Sequence, residues 1–372
     1  MIKLTPAQAT VFASDACAAI DQSHDNAWNL ITQRNVTRSQ WEAWFVAHVC
    51  AAMCDVAKAW RPRIAGINPK LMLSVSSVFT HQSPYVKWSS GRCELADLLI
   101  AFIDRTSSPG LGFAVLVQAK QADSNPAKLS TKSEKLQFHL LNVRPTFDVD
   151  AKAAPARVIL PMSRLGHDEA ILYGVNPPKK LASNPPPWGS HRWQTGGGLA
   201  TTPVANQVTL ARSLATTLVE QFQGNEGWDF TLPPAGKDWQ HFASSPRDDW
   251  AMMINYLLEA TFRKPLKSFH KIIKQPNRGR NIPMFMQCHP AHGLTMSFYH
   301  YAPGDFEDGA PLDWIAPASE EGPEWYAVSN SPLYEIGGGS GGRGPGGEGE
   351  DEYEPDNGPI SAIVFELGRR AD

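Results

Sequence analysis

Apolar residues recur three and four apart from residue 5 to residue 32, a period that predicts a long amphipathic helix. Thr37 then reads as an N-cap, with Gln40 three residues later completing a capping box. The helix it opens carries an apolar stripe of Trp41, Trp44, Phe45, Val49, Ala52, Met53 and Val56 and is expected to stop at Arg61-Pro62. The pattern then changes. Short β-type runs at 71–79, 98–103 and 113–117 follow, and the last two are almost wholly apolar, as strands buried on both faces are. Residues 104–112 between them read as a turn. A helix is expected over 132–142 and a strand over 157–161. Residues 174–206, rich in Pro, Gly, Asn and Ser, read as a long loop or insertion. Amphipathic helices follow over 207–223 and 248–262, with strands at 284–286 and 294–299. A Gly-rich stretch at 337–359 predicts disorder, and the apolar run 360–367 predicts a final strand that returns to close a sheet.

This order implies an α/β protein in four parts. Residues 1–160 hold the N-terminal helices and a core, and 161–336 form a mainly helical C-terminal region with long loops. Residues 337–359 are a disordered acidic linker, and 360–372 carry the terminal strand. A chain of 372 residues can bury a large core. No apolar run approaches the roughly 20 residues that span a bilayer, and polar residues interrupt the N-terminus where a signal peptide would be continuous, so the expectation is a cytoplasmic chain without a membrane partner. The net charge of -3 is unevenly spread. Residues 337–359 hold six acids and one arginine, which gives -5 there and leaves +2 for the rest. A mildly basic body permits a nucleic-acid partner without requiring one.

Candidate chemistry is concentrated between residues 93 and 120. If the two apolar runs pair antiparallel about the turn near residue 108, Asp97 comes opposite the Gln118-Ala119-Lys120 end. The alternation of strand side chains puts Gln118 and Lys120 on one face and Ala119 on the other. A carboxylate, an amide oxygen and an ammonium then converge. Asp97 and Gln118 can hold Mg²⁺ or Mn²⁺ through oxygen, and Lys120 can orient a water or stabilise charge on a phosphate. Glu94 can be a further metal ligand or a solvated turn residue. The plainer reading is a strand cap at Asp97 paired with Lys120 as a structural ion pair.

Glu94-Leu-Ala-Asp97 followed by Gln118-Ala-Lys120 resembles the PD-(D/E)XK restriction-endonuclease-like nuclease superfamily, in the variant with Gln at the second acid that Mrr-like and related anti-phage nucleases carry. The resemblance covers roughly residues 37–150, and Ala96 stands where the family name has Pro. It implies a mixed sheet flanked by helices in an αβββαβ core, and metal-dependent endonuclease cleavage of DNA in restriction or antiviral defence, with other subunits of a defence system as possible partners. It also implies that Glu42, on the preceding helix, joins Asp97, Gln118, Lys120 and Glu94 in the site, and that Gln137, on the helix over 134–141, lies near it. The alternative class is a non-catalytic interaction or scaffold subunit.

Residues 262–280 hold seven Lys or Arg and no acid, with Phe262 and Phe269 interleaved. Arg263, Lys264, Lys267, Lys271 and Lys274 can neutralise DNA phosphates there, as can Lys128, Lys132, Lys135 and Arg144 beside the candidate strand; an ordinary solvated basic surface is the alternative. Cys50 and Cys54 share a helix face next to His48, and buried packing is the favoured reading over metal binding. Cys288, His289 and His292 read as loop residues. Gly338–Gly342 matches a GxSxG pattern but lacks the strand and helix that such a nucleophile needs.

Overall fold

The computed structural model describes residues 2–33, 38, 41–78, 84–106, 110–122, 125–150, 154–161, 171–176, 192–196, 207–208, 210–234, 237–242, 248–262, 283–289, 295–300 and 360–369. Helices α1 (Pro6–Gln33) and α2 (Trp41–Ile67) pack together and lead into strand β1 (Leu71–Val78). A small hairpin, β2 (Tyr85–Trp88) and β3 (Gly91–Glu94), precedes the long pair β4 (Leu98–Asp104) and β5 (Leu111–Gln121). Next come β6 (Ala127–Lys128), α3 (Lys132–Val143), β7 (Asp148–Val149), β8 (Ile171–Asn176) and β9 (Gln194–Gly196). Then follow β10 (Gln207–Val208), β11 (Arg212–Ser213), α4 (Leu214–Gln223), β12 (Trp228–Thr231), α5 (Asp249–Phe262), β13 (Pro283–His289), β14 (Thr295–His300) and β15 (Ser361–Arg369).

One mixed sheet organises these elements, in the order β11-β9-β8-β5-β4-β15-β1-β13-β14, with β12 also paired to β5. The neighbours β4/β15 and β5/β8 run parallel; β4/β5 and β1/β15 run antiparallel. The terminal strand therefore joins the sheet, as the apolar run at the end of the chain predicts, and its slot lies between β1 and β4. All seven residues of β4 are buried, because helices cover both faces. Leu98, Ile100 and Phe102 face a core shared with α1, α2 and α4. Leu99, Ala101 and Ile103 face a second core shared with α3 and α5.

Several local expectations give way to tertiary packing. α2 continues through Pro62 to Ile67 instead of stopping near Trp60. Ile64 is fully buried beyond the proline, and the Arg61 Nε–H donates to the Leu73 carbonyl at 2.8 Å, so packing offsets the lost helix hydrogen bond. Residues 157–161 form no strand. Arg157 has a left-handed φ of 57°, which breaks the extended run, and Val158 makes only an isolated bridge to Phe147. The helix expected from 207 begins at Leu214, where the Ser213 hydroxyl accepts from the Thr216 N–H at 3.1 Å as N-cap. The stretch expected as loop over 174–206 contains the end of β8 and all of β9, and Cys288 and His289 lie in β13 rather than a loop. The region expected to be mainly helical thus supplies β8, β9, β13 and β14 to the sheet. Thr37, Gln40, the turn at 107–109, His292 and residues 337–359 lie outside the described residues, as does the side chain of Cys54.

Two histidines are buried between α1 and α2. His24 stacks on Phe45 at 4.3 Å, and neither of its ring nitrogens has a hydrogen-bond partner among the described residues. Burial, then nearby Arg192 and His48, lowers His24 to about 3; burial lowers His48 to about 3. Unfolding returns both rings to an ordinary value near 6.5, so the unfolded chain binds more protons below that pH. Stability is therefore expected to fall as pH drops from 6.5 toward 3. Thermal melts at pH 7 and pH 4.5 check this, and His24→Phe, which keeps a ring against Phe45 and takes no proton, flattens the slope; an unchanged slope contradicts the assignment. Cys50, pushed up to about 12 by burial, is a packing residue in the same core.

Candidate active site

β3 ends at Glu94, and buried Leu95 and Ala96 carry the chain into β4. The Leu95 N–H donates to the Pro84 carbonyl at 2.8 Å, and the Asp97 N–H donates to the Val117 carbonyl at 3.1 Å. These two bonds set where Asp97 enters the sheet. The ladder pairs Leu98 with Val117, so Asp97 stands across from Gln118, one residue from the symmetric pairing expected about residue 108. The parity of β5 then sends Gln118 and Lys120 to the same face as Ala114 and Leu116, and Asp97 to the same face as Leu99. Asp97, Gln118 and Lys120 therefore meet at one end of the buried hairpin.

Their contacts are direct. Asp97 Oδ2 accepts the Ala119 N–H at 2.7 Å and the Gln118 Nε2–H. The Lys120 ammonium lies 3.4 Å from both carboxylate oxygens of Glu42, in the first turn of α2. The helix acid that the resemblance implies is thus brought to the strand lysine. Lys120 keeps only 9% of its side chain exposed, against 33% for Glu42, so Glu42 forms the solvent-facing lip.

The electrostatics follow from burial with too little positive charge. Burial raises Asp97, and Lys120 and the two hydrogen bonds oppose that rise without cancelling it. Burial also raises Glu42, to about 7, with Lys120 opposing and Asp97 adding. Lys120 is pulled down by burial, but Glu42, Asp97, Glu94 and Glu134 more than offset this and raise it. Among the described residues, Lys120 is the cation acting on both Asp97 and Glu42, while four carboxylates act on it. Such a cluster gains from one more cation, either a proton or a metal ion.

A divalent ion fits the donors on one further observation. Gln118 is fully buried, and its Oε1 has no hydrogen-bond partner among the described residues. Its Nε2 is turned to Asp97, because an amide oxygen facing a carboxylate oxygen would be repelled. A buried carbonyl oxygen left without a donor is costly, and a cation relieves that cost. Asp97 and Gln118 would hold the ion, with Glu94 on the rim of β3. Among the described residues, no group of three or more His, Cys, Asp or Glu is arranged to hold a metal ion. Comparison with protein-family models, with characterised proteins and with solved structures returns no match. Among the described residues, no helix is long and apolar enough to cross a membrane.

The remaining expected residues divide. Gln137 lies on the buried face of α3, while Lys135 is exposed on another face of the helix. Lys128 and Lys132 are also exposed. Arg144 is corrected: it is buried, has a left-handed φ of 54° as C-cap of α3, and donates through Nε to the Leu141 carbonyl, so it is not a surface phosphate contact. Arg263, Lys264, Lys267, Lys271 and Lys274 lie outside the described residues. Sequence reasoning missed Glu134 as part of the site's field. Thr131-x-x-Glu134 is a capping box legible in the sequence; the Glu134 carboxylate accepts the Thr131 N–H at 2.7 Å and the Ser130 N–H at 2.8 Å, which holds it below its ordinary value. It also missed Tyr173, which no local signal marks.

Proposed function

We propose that this chain is a Mg²⁺- or Mn²⁺-dependent nuclease with a restriction-endonuclease-like core, hydrolysing DNA phosphodiester bonds in restriction or anti-phage defence. The observation that carries the reading is the meeting of Asp97, Gln118 and Lys120 at one end of the β4/β5 pair, with Lys120 ion-paired to Glu42 of α2. A bound divalent ion would polarise the scissile phosphate and make a coordinated water acidic enough to attack. The protein's own groups do the rest. The Ala119 N–H and Gln118 Nε2–H fix the Asp97 carboxylate. Glu42 holds Lys120, whose ammonium orients the water or takes up charge developing on the phosphate oxygens. Exposed Lys128, Lys132 and Lys135 supply phosphate contacts beside the site.

A second reading is a non-catalytic subunit of a multi-protein defence system. It is favoured by the same bonds, since Asp97 and Lys120 already have partners within the chain and can serve as a structural pair. Supercoiled plasmid incubated with Mg²⁺ or Mn²⁺ separates the two. The nuclease nicks or linearises it and Lys120→Ala does not. Wild-type protein that leaves the plasmid intact with either ion, and binds no Mn²⁺ that Asp97→Asn would abolish, supports the subunit.

A further inference from the structure

Gln118 stands beside a second buried polar group that has no hydrogen-bond partner among the described residues. On β8, Tyr173 is its direct register partner, so the two side chains project side by side from adjacent parallel strands. Tyr173 is 1% exposed, and its hydroxyl has no hydrogen-bond partner among the described residues. A phenol hydroxyl is protonated at neutral pH and able to donate, and Glu134 of α3 lies near enough to act on it. On α3, Gln137 follows Glu134 by one turn, is 4% exposed, and has an Oε1 without a partner among the described residues. Tyr173 and the buried leucines of α3 share one core. Gln118 Oε1 and the Tyr173 hydroxyl are thus an unpaired acceptor and donor on adjacent strands, and Gln137 Oε1 is a further unpaired acceptor on the helix whose Glu134 acts on Tyr173.

One water molecule matches this set. It can donate to Gln118 Oε1 and to Gln137 Oε1 and accept from the Tyr173 hydroxyl, and buried waters characteristically make about three such bonds. We propose that Tyr173, with Gln137, holds a buried water that fixes the Gln118 carboxamide with its oxygen presented to the metal, making Tyr173 a positioning residue of the site. The carbonyl oxygen has two lone pairs, so one can meet the water while the other meets the ion. The inference rests on Gln118 being a metal ligand.

Its test is Mn²⁺ binding to the full-length chain, measured by titration calorimetry, in wild type, Asp97→Asn, Gln118→Ala, Tyr173→Phe and the double variant Gln118→Ala with Tyr173→Phe. Removing a group that orients a metal ligand weakens affinity by about 10- to 100-fold, and Tyr173→Phe is expected to lose roughly ten-fold. The double variant is expected to bind no more weakly than Gln118→Ala alone, since the hydroxyl acts through that amide. Gln137→Leu is expected to repeat the Tyr173→Phe loss. A merely structural tyrosine would not couple to Gln118 in this way. Asp97-dependent binding with Tyr173→Phe equal to wild type, or with losses that add, overturns this inference and leaves the metal reading standing. Absence of Asp97-dependent binding in wild type overturns both.

Discussion

Lys120→Ala is expected to lose about 10²- to 10³-fold in plasmid cleavage, the usual loss when one preorganised donor to a developing oxyanion is removed. The fold should survive. Glu42, raised to about 7 by burial, is already close to taking a proton, and protonation can replace the lost ammonium as the way to neutralise it. The sign is opposite to that of a carboxylate whose folded value is lowered by a partner. A raised folded value means the native state holds its proton more firmly than the unfolded chain, so this group's contribution to stability falls as pH rises from its ordinary value through 7. Removing Lys120 removes the charge that opposes the rise, which moves this loss to higher pH. Cleavage assays at matched metal concentration, with circular dichroism for both proteins, check the result. A Lys120→Ala protein that is folded and cleaves at the wild-type rate would falsify the catalytic role.

Trp60→Ala is expected to cost about 3–5 kcal/mol of stability, the range for emptying a buried tryptophan site. Trp60 is fully buried and sits where three parts of the chain meet. Its ring centroid lies 5.2 Å from Phe12 of α1, 5.4 Å from Phe222 of α4 and 5.7 Å from Phe365 of β15. Its indole N–H donates to the Phe12 carbonyl at 3.0 Å. Phe365 in turn stacks on Phe102 of β4 at 4.4 Å. An alanine would open a cavity under the central strands with little able to collapse into it. Against a typical total of about 5–15 kcal/mol, that loss is large. Trp60→Phe keeps an aromatic ring and loses the hydrogen bond and part of the volume, so it should cost less. Denaturant unfolding of the three proteins gives the comparison; an alanine variant within 1 kcal/mol of wild type, as an order-of-magnitude bound, would contradict this packing account.

The hairpin that builds the site was legible because its signal is local. Two unbroken apolar runs with polar ends define strands buried on both faces, and the alternation of β5 then assigns Gln118 and Lys120 to one side. The terminal run 360–367 was legible for the same reason, though not its place between β1 and β4. α1, α3 and α5 follow from apolar periodicity in the same way. Sequence pattern and structure differ where local preference and packing disagree. Pro62 argues for a stop, but the burial of Ile64 carries α2 onward. The pattern at 207–223 mixes two short strands with a helix, and only the Ser213 cap separates them.

By itself, then, the order of apolar and polar residues determined the central strands, most of the helices and the convergence of Asp97 with Gln118 and Lys120, because strand alternation and helix period are properties of neighbouring residues. Only the tertiary structure decided that Glu42 meets Lys120 across 78 positions, that Tyr173 stands beside Gln118, and that Glu134 adds to the field of the site. Those contacts depend on which strands pair and which helix covers which face. Those choices are settled by burying the whole core at once, and no window of sequence contains them.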